Sequence, residues 1–294
     1  MICRHTDIRT RDKARTRFQC ADCSKWFNDK NVPSMEHRKP IKNAPKILLF
    51  DTENAPNIAG VWNVWNQNIA PVQIFNDWYL LSWAAKWLND SKIMGDVLTS
   101  KEAVKEDDKR LVRNLWNLFN EADWLIAHNA SAFDIPIANT RFIMNGLTPP
   151  SSYQVIDTLK VARKQFNFTH NKMSFLADRL DIPHNKLETE FQLWKDCKAG
   201  KRESLKYMLK YNKMDVTVLE ELYLKLRPWI KSHPNWNLYS DTGGCAVCGS
   251  TKLKRNGTYT TTVSLYNSYQ CKQCGSFSRT DKGDNKSSLR SLAR

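Results

Sequence analysis

"KILLFDTENAP", residues 46–56, carries the apolar run Ile47, Leu48, Leu49 and Phe50 straight into Asp51 and Glu53. Side chains alternate along a strand with period two, so both carboxylates project from one side of it. A buried strand that ends this way has either run out into solvent or brought two acids together to hold a cation. Solvated surface is the commoner cause of such a pair, so the choice rests on what the rest of the chain supplies.

Two further segments change the balance. "HNASAFD", residues 128–134, follows the apolar stretch "DWLIA" and delivers Asp134 at the start of a predicted helix. "YNKMD", residues 211–215, sets Tyr211 and Asp215 four positions apart, one helical turn along the same face. Phosphodiesters are cleaved efficiently where two divalent ions, about 3.5–4 Å apart, clamp the attacking and leaving oxygens. Hard Mg²⁺ or Mn²⁺ prefers oxygen ligands, so such a centre needs carboxylates converging from several elements. Asp51, Glu53, Asp134 and Asp215 are available for it.

In this order, FDxE, HNxxxFD and YxxxD, the chain resembles the DEDDy 3′–5′ exonucleases of the ribonuclease H-like superfamily. It is most similar to the proofreading domain of family B DNA polymerases and to the stand-alone bacterial and phage exonucleases like it. "LLSWAAKWL" at 80–88, "IDTLKVARKQF" at 156–166 and "YNKMDVTVLEELYLKLRPWI" at 211–230 extend the likeness. It covers residues 46–230 and, with the cysteine-bearing segment beyond, reaches about 280. The resemblance implies two Mg²⁺ or Mn²⁺ ions, with Asp51 bridging both, Glu53 and Asp215 completing the ion on the nucleophile side, and Asp134 reaching the other. It further implies that Tyr211 orients the attacking water and that Asn129 touches the terminal nucleotide, whereas Phe133 reads as core.

Other polar residues near these motifs have plainer readings. His128 reads as a hydrogen-bonded strand-end histidine, and Asp157 either as a fifth site carboxylate or as the cap of the helix that follows. Lys160, Arg163 and Lys164 either steer phosphates or form a solvated helix face. Trp62, Trp65, Trp83 and Trp87 read as core, with base stacking open to one of them.

Charge is unevenly placed along the 294 residues. The formal net charge is +15; residues 1–45 and 240–294 each carry +6, leaving only +3 on the body between them. Two basic ends on a nearly neutral body suit a polyanion, and nucleic acid is the expected partner. Apolar runs long enough to span a bilayer do not occur, and the N-terminus has no apolar segment of the signal type, so a cytoplasmic, membrane-free setting is expected, in a bacterial host if the chain is phage-encoded.

Seven of the eight cysteines lie in those basic ends, and Cys197 stands alone as an ordinary buried thiol. Cys245 and Cys248, then Cys271 and Cys274, form two CxxC pairs separated by 22 residues, each followed by glycine. That spacing suits tetrahedral Zn²⁺ in a zinc ribbon. A second zinc site is expected from Cys3, His5, Cys20 and Cys23, with His37 a rival fourth ligand, the alternative being an unmetallated basic arm.

The expected organisation is a basic module and linker at 1–44, an α/β body with a ribonuclease H-like mixed central sheet flanked by helices at 45–235, a zinc ribbon at 241–280 and a disordered tail at 281–294, giving small zinc-binding modules at both ends. Helical periodicity predicts one helix over 102–121 and continuous helix over 187–229. The leading functional expectation is a 3′–5′ exonuclease on DNA, single-stranded ends favoured. RNA-directed trimming and a non-catalytic nucleic-acid adaptor are the alternatives. With no polymerase segment following the body, cooperation with a separate polymerase or repair protein is the remaining route to proofreading.

Overall fold

The computed structural model describes residues 45–183, 187, 189–239, 243–283 and 287, with the strand backbone alone at 8–11, 17–20, 26–28 and 285–286. In chain order its elements are β1 (Ile8–Arg11), β2 (Arg17–Cys20), β3 (Trp26–Asn28), β4 (Ile47–Asn54), β5 (Ile58–Ala59), β6 (Ile74–Asn76), β7 (Leu80–Trp87) and β8 (Ile93–Val97), then helices α1 (Ser100–Lys105) and α2 (Lys109–Glu121). The alternating part follows as β9 (Trp124–Ala127), α3 (Asp134–Met144), β10 (Gln154–Asp157), α4 (Thr158–Gln165), α5 (Met173–Arg179), α6 (Phe191–Lys198) and α7 (Arg202–Leu226). β11 (Leu253–Thr260), β12 (Ser264–Cys271), β13 (Phe277–Arg279) and β14 (Asn285–Lys286) close the chain.

β4 is the middle strand of a five-stranded sheet of order β10-β9-β4-β7-β8. β7 runs antiparallel to it and β8 antiparallel to β7 in a meander, while β9 and β10 run parallel to it through helical crossovers. This is the mixed ribonuclease H-like sheet expected from strands that first meander and then alternate with helices. Both faces of the sheet are covered, so β4 and β7 read as continuous apolar runs rather than alternating ones.

Each face of β4 meets a different partner. Leu48 and Phe50 pack with Leu111, Leu115 and Phe119 of α2, where the rings of Phe50 and Phe119 meet edge to face at 4.8 Å. Ile47 and Leu49 pack with Val216, Leu219 and Tyr223 of α7. Period two then sends Asp51 and Glu53 to the α7 side and Thr52 to the other.

Two helical expectations need correction. The helix over 102–121 is two helices, broken where Glu106 takes φ 56 in the left-handed region and the buried Asp108 turns its carboxylate to β7 and α3. The stretch 187–229 is likewise interrupted at Gly200, whose φ of +75 ends the turn after α6; a Cβ there would lie 2.7 Å from the Ser100 carbonyl oxygen. Periodicity saw through both breaks because the apolar stripe resumes in near register on either side. The tail reading is also modified, since Asn285–Lys286 pairs with β12.

The aromatic expectations divide. Trp83 is core and Trp87 packs against it, but Trp62 is 98% and Trp65 78% exposed, on the loop between β5 and β6. At the N-terminus β1, β2 and β3 form an antiparallel sheet. Cys3, His5, Cys23 and His37, and the side chain of Cys20, lie outside the described residues.

Candidate active site and cysteine cluster

Three of the four expected carboxylates converge. Asp51 and Glu53 leave the α7 side of β4, and Asp215 reaches them from α7; one oxygen of each lies within 4.8 Å of the others. Asp134 stands alongside at the start of α3, buried, with Oδ1 accepting from Thr52 N at 3.2 Å and Thr52 Oγ1 at 2.9 Å. Thus β4 serves both sides of the site: its odd residues carry two acids, and the even residue between them anchors a third.

Burial and mutual repulsion govern the electrostatics. Withdrawal from water raises Asp51 well above the usual carboxylate range, and the charges of Asp134, Asp215 and Glu53 raise it further. Glu53 is pushed up to about 8 by burial first and Asp215 second, and burial lifts Asp134 to about 6. The hydrogen bonds reaching Asp51, Glu53 and Asp134 come from the neutral donors Asn212, Trp194 and Thr52, so nothing on those donors balances the charge. A set of oxygen donors in this condition fits hard divalent cations.

Tyr211, half-buried one turn before Asp215, shares a hydrogen bond with it, and burial together with the surrounding acids raises its phenol. Two contributors were invisible to the motif reading. Asn212, fully buried, donates Nδ2 to Asp51 Oδ2 at 2.5 Å while its Oδ1 accepts from Ser82 Oγ at 3.1 Å. Trp194 of α6 donates Nε1 to Glu53 Oε2 at 3.1 Å. Asn212 lies inside the quoted "YNKMD", so its neighbours were the available signal; nothing in the sequence flags Trp194.

The remaining expectations sort cleanly. His128 is held between Thr158 Oγ1 and the Asn171 carbonyl, with burial depressing its pKa, which is a structural arrangement. Asp157 is a cap: it accepts from Leu159 N and Lys160 N, and also from Asn129 N and Ser131 N. Asn129 itself takes φ 72, a conformation that asparagine tolerates and the strand-to-helix turn requires. Phe133 is not core; it is 49% exposed beside a groove of about 400 Å³ whose walls include Asn54, Trp78 and Pro136. Lys160, Arg163 and Lys164 are exposed on α4, and Lys160 and Lys164 share a second groove, of about 300 Å³, with Lys231.

Residues 86–227 match the family model of the RNase_H superfamily. The fold of the body is ribonuclease H-like. Asp134, Tyr211 and Asp215 fall inside the matched span, and Asp51 and Glu53 lie upstream of it on the central strand. A search of curated proteins found no match. No helix among the described residues is long and apolar enough to cross a membrane.

Away from the ribonuclease H-like body, the four late cysteines meet. Sγ of Cys245 lies 3.7 Å from that of Cys274, and Sγ of Cys248 lies 3.7 Å from that of Cys271. Four thiolates at Zn–S distances of about 2.3 Å would be separated by roughly 3.8 Å along each tetrahedral edge, so this cluster is shaped to hold a metal ion. Val247 N and Gln273 N point at Cys245 Sγ and Cys271 Sγ, and Gly249 and Gly275 turn away at φ 74 and 78.

Proposed function

We infer that this chain is a metal-dependent 3′–5′ exonuclease of the DEDDy type, removing nucleotides from DNA, with single-stranded 3′ ends favoured. The observation that carries this reading is the meeting of Asp51, Glu53 and Asp215 within 4.8 Å, with Tyr211 hydrogen-bonded to the last of them and Asp134 alongside. The preference for DNA and for 3′ ends rests on the resemblance of the motifs and their tyrosine.

Asp51, Glu53, Asp134 and Asp215 would hold the divalent ions, which supply, when bound, positive charge for the phosphodiester transition state and easier loss of a proton from the attacking water. The chain's own residues do the positioning. Asn212 fixes the rotamer of Asp51, and Ser82 fixes Asn212. Trp194 holds Glu53 toward the shared centre. The Tyr211 hydroxyl, steadied by Asp215, orients the water for in-line attack on the terminal phosphodiester. Asn129, Lys160 and Arg163 serve the terminal nucleotide and its phosphates. The cluster of Cys245, Cys248, Cys271 and Cys274 takes structural Zn²⁺, folding a small ribbon too short to build its own core. The two basic ends grip the nucleic-acid backbone.

The test compares digestion ladders of 3′-labelled and 5′-labelled single-stranded DNA, duplex DNA and RNA, with Mg²⁺ or Mn²⁺. Loss of the 3′ label in the first cut, with progressive shortening of the 5′-labelled strand, is expected. Asp51→Ala and Asp215→Ala should each abolish digestion while retaining binding. Digestion that persists in either variant overturns the site, and internal cuts overturn the exonuclease reading.

A further inference from the structure

Between Glu53 and Asp77 the chain carries no Lys, Arg, Asp, Glu or His over 23 residues, although 26% of the whole sequence is charged. The structure folds this stretch into an arm. β5 pairs with β6, Gly60 N donates to the Gln73 carbonyl, Gln73 Nε2 returns a bond to the Gly60 carbonyl, and Ala70 N donates to Gln73 Oε1. Residues 61–72 are all exposed, and with Trp62 at 98%, Val72 at 91% and Trp65 at 78% this surface is apolar and open. Asn63, Asn66, Gln67 and Asn68 are interleaved with the two tryptophans. Large apolar surface held out on an ordered arm marks an interaction site.

Its occupant follows from composition and position. The arm springs from the strand that carries Asp51 and Glu53. Its stem continues into the groove of about 400 Å³ lined by Asn54, Asn57, Trp78 and Phe133, of which Asn54 directly follows Glu53 and Phe133 directly precedes Asp134. Aromatic faces stack on any base, and amide side chains meet base edges, whereas a surface without Lys or Arg neutralises no phosphate charge. The basic residues stand elsewhere, with Lys160, Lys164 and Lys231 around the separate groove. Basic and aromatic side chains are therefore divided between two surfaces.

We propose that the arm at 57–76 is a stacking platform for unpaired bases of the nucleic-acid strand, Trp62 and Trp65 taking bases upstream of the terminal nucleotide and Phe133 lying on the path to the acids. This rests on the nuclease reading and extends it, because a platform for bare base faces selects a single strand over a paired one.

The experiment measures binding of fluorescently labelled oligonucleotides two to twelve nucleotides long, single-stranded and duplex, to full-length Asp51→Asn protein across a salt series. Trp62→Ala/Trp65→Ala in that background should weaken single-strand binding at least tenfold, most for the longer oligonucleotides, with the salt slope unchanged because no phosphate contact is lost. Trp62→Phe/Trp65→Phe should recover most of the affinity. An unchanged affinity overturns the proposal. So does a wild-type chain that sediments as a dimer while the double alanine variant is a monomer, which would make the arm an interface between copies. Hydrolysis of the same oligonucleotides by the parent chain is scored separately, so a failed nuclease reading and a failed platform give different results.

Discussion

Asn212 uses both ends of its amide within the candidate active site, donating to Asp51 and accepting from Ser82. A neutral donor is suited to that place, since it orients a carboxylate without competing for the cation. Groups that orient metal ligands typically matter by about 10–100-fold in affinity or activity. Asn212→Ala should therefore lower Mn²⁺ affinity and digestion by about that factor, read by Mn²⁺ titration beside a single-turnover assay. Ser82→Ala should cost less, because it leaves the bond to Asp51 in place. Residue-scale legibility was uneven: the four acids and Tyr211 stood out as chemical types at telling spacings, whereas Asn212 and Trp194 are ordinary residues whose role depends on what they face.

Among the elements, α3 matters most for the site because Asp134 opens it, and its placement depends on Asp108. That buried carboxylate accepts from Leu80 N of β7, from Nε and Nη2 of Arg141 at 2.6 and 2.7 Å, and from Asn145 Nδ2. It thus ties the sheet, the start of α2 and the end of α3. Removing one partner of a buried ion pair leaves the other unpaired, at a cost of about 3–5 kcal/mol. Asp108→Ala should lower the unfolding free energy read from denaturant titration by that amount, and adding Arg141→Ala should restore part of it, since the stranded guanidinium is then gone. The same residue helps to break the single helix that apolar spacing predicts over 102–121, and the reason for the break lies in β7 and α3.

Across the whole molecule, the cysteine cluster is joined to the body through the chain that leaves α7. Tyr223 on α7 donates its hydroxyl to His233 Nε2 at 2.6 Å, since Nδ1–H is engaged by the Pro234 carbonyl; the Trp236 ring then packs against the core of Ile47 and Leu49 while its backbone N–H donates to the Ala246 carbonyl. Burial holds the His233 pKa down to about 4. Between about pH 6.5 and 4 the unfolded chain takes up a proton that the folded chain refuses, so stability is fully present above 6.5 and falls with acidification. The loss attributable to His233 should approach about 3 kcal/mol near pH 4. Urea midpoints at pH 7 and pH 4.5 check this: the difference should shrink in His233→Gln, and an equal difference in both proteins would refute it.

By itself the sequence determined the local geometry: two carboxylates on one side of a strand, a tyrosine and an aspartate one helical turn apart, and paired CxxC knuckles with glycines after them. Those follow from backbone periods and ligand spacing, which need no knowledge of distant residues. Only the tertiary structure decided which face of β4 those acids share with α7, that Asp51 is steadied from 161 positions away, that Asp157 is a cap and Phe133 a groove wall. It likewise put Trp62 and Trp65 in solvent, where their apolar character alone argued for the core. Burial and pairing are properties of what packs against a side chain, and the packing partners here come from elements far away along the chain.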